Sequence, residues 1–204
     1  MDYFATTPVV PPEPFRGVSA PRLRELSLEG IPIPALPKLL LFATHLVDLI
    51  LYNIPYPGYV SPEVVVTCPS MLTNLERLRL EFQWHPFYPN PEILRPCPHP
   101  LTRSVLPSLI TFGFGGVSEY LEGFVARIDA PPRLNPLTIN FVNHIVFDTL
   151  QLVHFINHML RLMVPDEVRV TFYGPSVFVT LLSPAPGSEE PYVKILCVKF
   201  NWRV

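Results

Sequence analysis

Only three cysteines, Cys68, Cys97 and Cys197, occur in the 204 residues, far apart and with no C-x-x-C spacing. An odd, scattered set argues against a secreted disulfide framework and predicts free thiols in a reducing, intracellular compartment, cytoplasmic or nuclear. Charge of either sign is sparse: 15 Lys and Arg stand against 17 Asp and Glu, with no basic block. Nothing here would neutralise a phosphate backbone or an anionic bilayer, so neither nucleic acid nor membrane is an expected partner. No apolar run reaches the roughly 20 residues that a spanning helix needs. The longest candidate, residues 36–54, is broken by Lys38, His45 and Asp48. Asp2 and the lack of a basic residue before an apolar run mean that the N-terminus does not read as a secretory signal. Glycine is scarce as well, 9 residues beside 27 prolines, which is the composition of a folded chain punctuated by proline and not of a low-complexity one.

What the chain does have is leucine in a fixed pattern, L-x-x-L-x-L-x-x-(I/V). It runs through Leu23, Leu26, Leu28 and Ile31, then Leu46, Leu49, Leu51 and Ile54. A third copy has Leu75, Leu78 and Leu80 with Gln83 in the last place. The fourth reads Leu109, Phe112, Phe114, Val117, and the fifth Leu134, Leu137, Ile139, Val142. A degenerate sixth is Pro165, Val168, Val170, Tyr173. The starts lie 23, 29, 34, 25 and 31 residues apart, bracketing the leucine-rich-repeat period, so each copy should supply one short strand and one return segment. The expected fold is α/β: a leucine-rich-repeat-like solenoid, with short parallel strands on a concave face and helices or turns on the convex face.

Residues 1–20 carry Pro8, Pro11, Pro12 and Pro14 and no periodicity, so they are expected to form a disordered or extended arm ahead of a solenoid spanning 21–204. Residues 83–104 hold six prolines and account for the longest spacing as an irregular insertion. Residues 183–191 should be a second loop, and the strand from Val193 to Phe200 should end the stack. Prolines two places before the first leucine (Pro21, Pro107, Pro132) suit a strand's beginning. Between strands, Ser61-Pro62-Glu63 reads as a helix start, and Ser118 as the cap of a helix with the stripe Leu121, Phe124, Val125, Ile128. Asp148 opens a longer helix with Leu152, Phe155, Ile156, Met159 and Met163 on one side.

Stretches such as PRLRELSLEGIPIPALPKLL, LVDLILYNIPYPGYVSPEVVVTCPSMLTNLERLRLEF and, most specifically, SEYLEGFVARIDAP resemble the repeat region of fungal, basidiomycete-type F-box leucine-rich-repeat proteins. The resemblance covers roughly residues 17–182. It implies a repeat array that selects the target of a ubiquitin ligase, joined in that family to an F-box that docks on a Skp1-type adaptor. No F-box is expected within these residues, so only the target-facing half carries over, and the adaptor is a partner only if an F-box is supplied elsewhere.

Candidate chemistry is thin, and no enzyme activity or cofactor is expected. His154 and His158 have the i, i+4 spacing of two zinc ligands, but Phe155 replaces the Glu of H-E-x-x-H and both fall on a polar helix side; a solvated surface and no metal is the expectation. Cys97-Pro98-His99 lacks two further ligands. Phe114-Gly115-Gly116 precedes a helix without either phosphate-loop pattern, and close backbone packing accounts for it.

That leaves the outward positions of each strand. They are Glu25, Ser27, Glu29; Asp48, Ile50, Tyr52; Arg77, Arg79, Glu81; Thr111, Gly113, Gly115; Pro136, Thr138, Asn140; and Glu167, Arg169, Thr171. The expected partner-binding centre is Asp48, Ile50, Tyr52, Arg77, Arg79, Glu81, Gly113 and Gly115, where an aromatic and an arginine pair border a patch left bare by two glycines. The function this supports is a protein-interaction scaffold, with an unknown target protein as partner. The other reading is a truncated remnant of an F-box or receptor array with no activity of its own.

Overall fold

The computed structural model describes residues 22–30, 40, 43–55, 62, 66, 73–83, 103–129, 134, 137–141, 150–160, 167–173, 176–182 and 193–198, with backbone alone from 159 onward. The elements are β1 (Glu25–Glu29), β2 (Asp48–Ile54), β3 (Arg77–Phe82), β4 (Ser104–Val105), β5 (Thr111–Gly116), α1 (Ser118–Val125), β6 (Ile128–Asp129), β7 (Leu137–Phe141), α2 (Leu150–Leu160), β8 (Glu167–Tyr173), β9 (Ser176–Leu182) and β10 (Val193–Val198). Eight of the strands form one sheet in the order β1-β2-β3-β5-β7-β10-β9-β8. The protein is therefore mixed α/β with a largely parallel sheet.

From β1 to β7 every neighbouring pair is parallel, and the pairing follows the leucine pattern. Leu26 pairs with Leu49, Leu49 with Leu78, Leu78 with Phe112, and Phe112 with Leu137. A second column, two residues on, joins Leu28, Leu51, Leu80, Phe114 and Ile139. A slip of one residue would turn every leucine to the other face, so the buried face fixes the register. The first leucine of each copy lies ahead of its strand: Leu46, Leu75 and Leu109 are buried in the turns that lead in. Pro107 belongs to such a turn and does not begin a strand.

Those turns repeat a hydrogen-bond motif. The Arg24 carbonyl accepts from the N–H groups of Val47 and Asp48, the Val47 carbonyl from Glu76 and Arg77, and the Glu76 carbonyl from Ile110 and Thr111, at 2.8–3.0 Å. Two side chains add rungs: Asn74 Nδ2 donates to the Thr44 carbonyl (3.2 Å) and Ser108 Oγ to the Thr73 carbonyl (2.6 Å). Equivalent places in successive copies thus lie side by side.

The core lies on the leucine side, and α1 and α2 pack over its β5 part. Phe112 stacks on Phe124 of α1 (ring centroids 5.5 Å apart) and meets Phe155 of α2 at 6.4 Å; Tyr120 lies 4.5 Å from Phe82. A Cβ at Gly116 would come within 3.0 Å of the Phe82 and Phe114 rings, so glycine there lets the aromatic cluster close against the strand. Glu122 of α1 caps α2, accepting the N–H groups of Gln151 (2.8 Å) and Leu152 (2.9 Å) on its two oxygens.

Several expectations are corrected. The sixth copy does not follow the fifth in the sheet: β8 pairs antiparallel with β9 at the far edge, and β10 takes the parallel place beside β7. Val193–Val198 therefore lies inside the sheet and does not end it. The β8–β9 register leaves two residues between the paired Tyr173 and Ser176, and so short a hairpin closes locally, whereas a parallel return needs a long crossover. Ser118 is the first residue of α1 and not its cap; Val117, in extended conformation, holds that place, and Ser118 Oγ donates to Glu119 instead. Ile128 lies past the helix, in β6, though it is buried with the stripe's Leu121, Phe124 and Val125. The insertion ends before residue 104, because Ser104 is in β4, paired with β6. The arm, Ser61, Asp148, Met163 and residues 183–191 lie outside the described residues.

Candidate functional site

The face opposite the core is built from the alternate residues of β1, β2, β3, β5 and β7. Glu25, Ser27 and Glu29 of β1 are exposed. Ser27, Ile50, Arg79, Gly113 and Thr138 form one cross-strand row, and Glu81, Gly115 and Asn140 part of the next. All eight residues expected at the binding centre fall on this face and on three adjacent strands.

Their side chains engage each other more than the pattern suggests. Asp48 is buried, its side chain 7% exposed, whereas that of Arg77 is 59% exposed. Arg77 closes over Asp48 with Nε and Nη2 on the two carboxylate oxygens, the fork-on-fork geometry for which a guanidinium is suited. That bond, then the charge of Asp48 itself, raises the Arg77 pKa further above its ordinary value. One strand row further, Arg79 donates from Nε (2.7 Å) and Nη2 to the same oxygen, Oε1, of Glu81. Its guanidinium carbon lies 4.8 Å from the centre of the Tyr52 ring, within range of a cation–π contact.

The glycines of β5 are not a bare patch. Both are buried. A Cβ at Gly113 would stand 3.1 Å from Arg79 Cγ, and one at Gly115 3.1 Å from Glu81 Cγ. The aliphatic stems of Arg79 and Glu81 lie across the two glycines, which is what permits the pair to lie flat beside the sheet. Arg77 and Arg79 each already hold a carboxylate of their own chain, Asp48 and Glu81. Alternation alone put these residues on one face; it carried no signal for the pairs between neighbouring strands.

The acidic end is also organised. Asn53 has φ +50°, in the left-handed region that asparagine tolerates, where the β2–β3 register shifts. Its Nδ2 donates to Glu29 Oε1 at 2.9 Å. Asn53 was not among the expected site residues.

On α2, His154 and His158 are exposed. Among the described residues no three His, Cys, Asp or Glu side chains gather as a metal site requires; Cys97 and His99 lie outside those residues, as does Pro136. No described helix is long and apolar enough to cross a membrane. The fold and this face define an α/β protein with a charged, hydrogen-bonded sheet surface opposite a helix-covered core. No protein-family model matches the chain, no curated protein matches it, and no solved structure matches it.

Proposed function

We propose that this chain is a stack of the leucine-rich-repeat kind, an intracellular interaction scaffold whose polar sheet face is concave and binds a target protein. The observation that carries the reading is the alignment of five successive pattern copies, residue for residue, in parallel strands. A repeat so stacked presents a surface several strands wide, and a surface of that kind serves recognition of a macromolecule. Tyr52 and Arg79 are the anchors: an aromatic and an arginine, held in one orientation before binding, contribute more than mobile side chains because less entropy is lost on contact. The resemblance to fungal F-box leucine-rich-repeat proteins makes target selection for a ubiquitin ligase the role this face would serve, with a Skp1-type adaptor reached through an F-box supplied elsewhere. No catalytic step and no cofactor belong to this proposal.

The test begins with a partner identified by cross-linking in cell extract and then purified. Tyr52→Ala and Arg79→Ala should each weaken its binding by more than about 1 kcal/mol, while Gln151→Ala, on the helix side, should leave Kd unchanged. If the helix-side change weakens binding and the sheet-face pair does not, the face is wrong.

A further inference from the structure

A groove of about 680 Å³ runs along the edge where the parallel strands begin, apart from the face just described. Its walls come from equivalent places in four copies of the pattern. The residue before the first leucine supplies Arg22, His45, Asn74 and Ser108; the residue after it supplies Arg24, Val47 and Glu76. The four strands β1, β2, β3 and β5 are neighbours, so three strand spacings give the groove a length of about 14 Å.

The backbone along this edge is already satisfied by the repeated carbonyl motif, and Asn74 and Ser108 are tied to carbonyls of the preceding turns. Recognition must therefore come from the remaining side chains. Arg22, Arg24 and His45 are exposed at the β1–β2 end. Among the described residues neither guanidinium has an acidic partner in reach; the ion pairs there are Arg77–Asp48, Arg79–Glu81 and Arg103–Asp129. Two unpaired guanidinium groups beside an imidazole favour carboxylates, which they can grip with paired N–H donors. Glu76, beyond Val47, repels a second anion from the β3 end and limits the acidic contact to β1–β2. A small anion would fill one end only, whereas about four residues of extended chain match the length.

We propose that this groove is a second binding site, which takes an extended, carboxylate-bearing peptide segment of a partner protein. The proposal does not depend on the sheet face being the target site. The probe is a fluorescein-labelled hexapeptide of two glutamates and then four serines, which keeps its carboxylates away from Glu76, followed by fluorescence anisotropy at low salt with the full chain. The protein has a formal net charge of −2, so general electrostatics oppose this ligand and binding would report the local site. Arg22→Gln with Arg24→Gln should weaken it at least about tenfold, since tenfold corresponds to the loss of one good charge-assisted contact. Arg103→Gln, which removes a cation beside β4, should leave it unchanged, and circular dichroism of each variant checks the fold. A diglutamyl probe that fails to bind, that binds the double arginine variant equally well, or that inorganic phosphate displaces at matched concentration would overturn the proposal.

Discussion

The two faces of the sheet are made from alternate residues of the same strands, yet different forces hold them. On one, Leu49, Leu78, Phe112 and Leu137 are at most 1% exposed and belong to one buried apolar cluster, so removal of apolar area from water dominates. On the other, Arg79–Glu81 and Arg79–Tyr52 keep long side chains in place at a partly solvated surface, where each contact contributes little to stability. The first face determines whether the protein folds. The second determines what shape and charge it offers.

Neighbouring residues on opposite faces give the largest test of that division. Leu49→Ala should destabilise by about 2–5 kcal/mol through lost burial and the cavity left behind, whereas Ile50→Ala, half-buried on the polar side, should cost under about 1.5 kcal/mol. Urea denaturation of both variants reads the contrast, and equal midpoints would mean that the faces are assigned the wrong way round. Next is the exception on the polar side, the buried carboxylate. Arg77→Ala should lower the midpoint by stranding Asp48, and adding Asp48→Ala to it should recover part of the loss; a strictly additive double variant would show that the pair is not coupled. The link between helices comes third: Glu122→Ala should cost about 0.5–2 kcal/mol as a lost cap, seen as faster amide exchange at Gln151 and Leu152, with Glu122→Gln milder. The smallest stability effect belongs to Arg79→Ala, at about 0.2–1 kcal/mol, weakening further as salt is raised. A large loss there would move Arg79 from the recognition surface to the scaffold.

Much of the scaffold is legible in the sequence. Spacing placed Leu26, Leu49, Leu78, Phe112 and Leu137 in one column, and the strands pair in that register, because only one register keeps every leucine covered. Alternation likewise put Tyr52, Arg79, Glu81 and Gly113 on the other side. Failures arose where a competing local preference or a cross-strand contact decided. Val168 and Val170 fit the repeat, but their strand pairs antiparallel with the one that begins three residues after it ends, at the far edge of the sheet. Gly113 and Gly115 looked like empty surface because sequence shows a missing side chain without showing what covers it.

Alternation and the spacing of leucines determined which residues face the core and which strands can lie side by side, since those follow from a period of two along a strand and from the cost of exposing apolar surface. The order of the last three strands, the cover over the two glycines, the pairing of Asp48 with Arg77 and the alignment of Arg22 with His45 along the groove were decided by the tertiary structure. Each depends on residues 23 to 34 or more places apart, or on a choice between two ways of pairing one strand, and only the assembled sheet makes that choice.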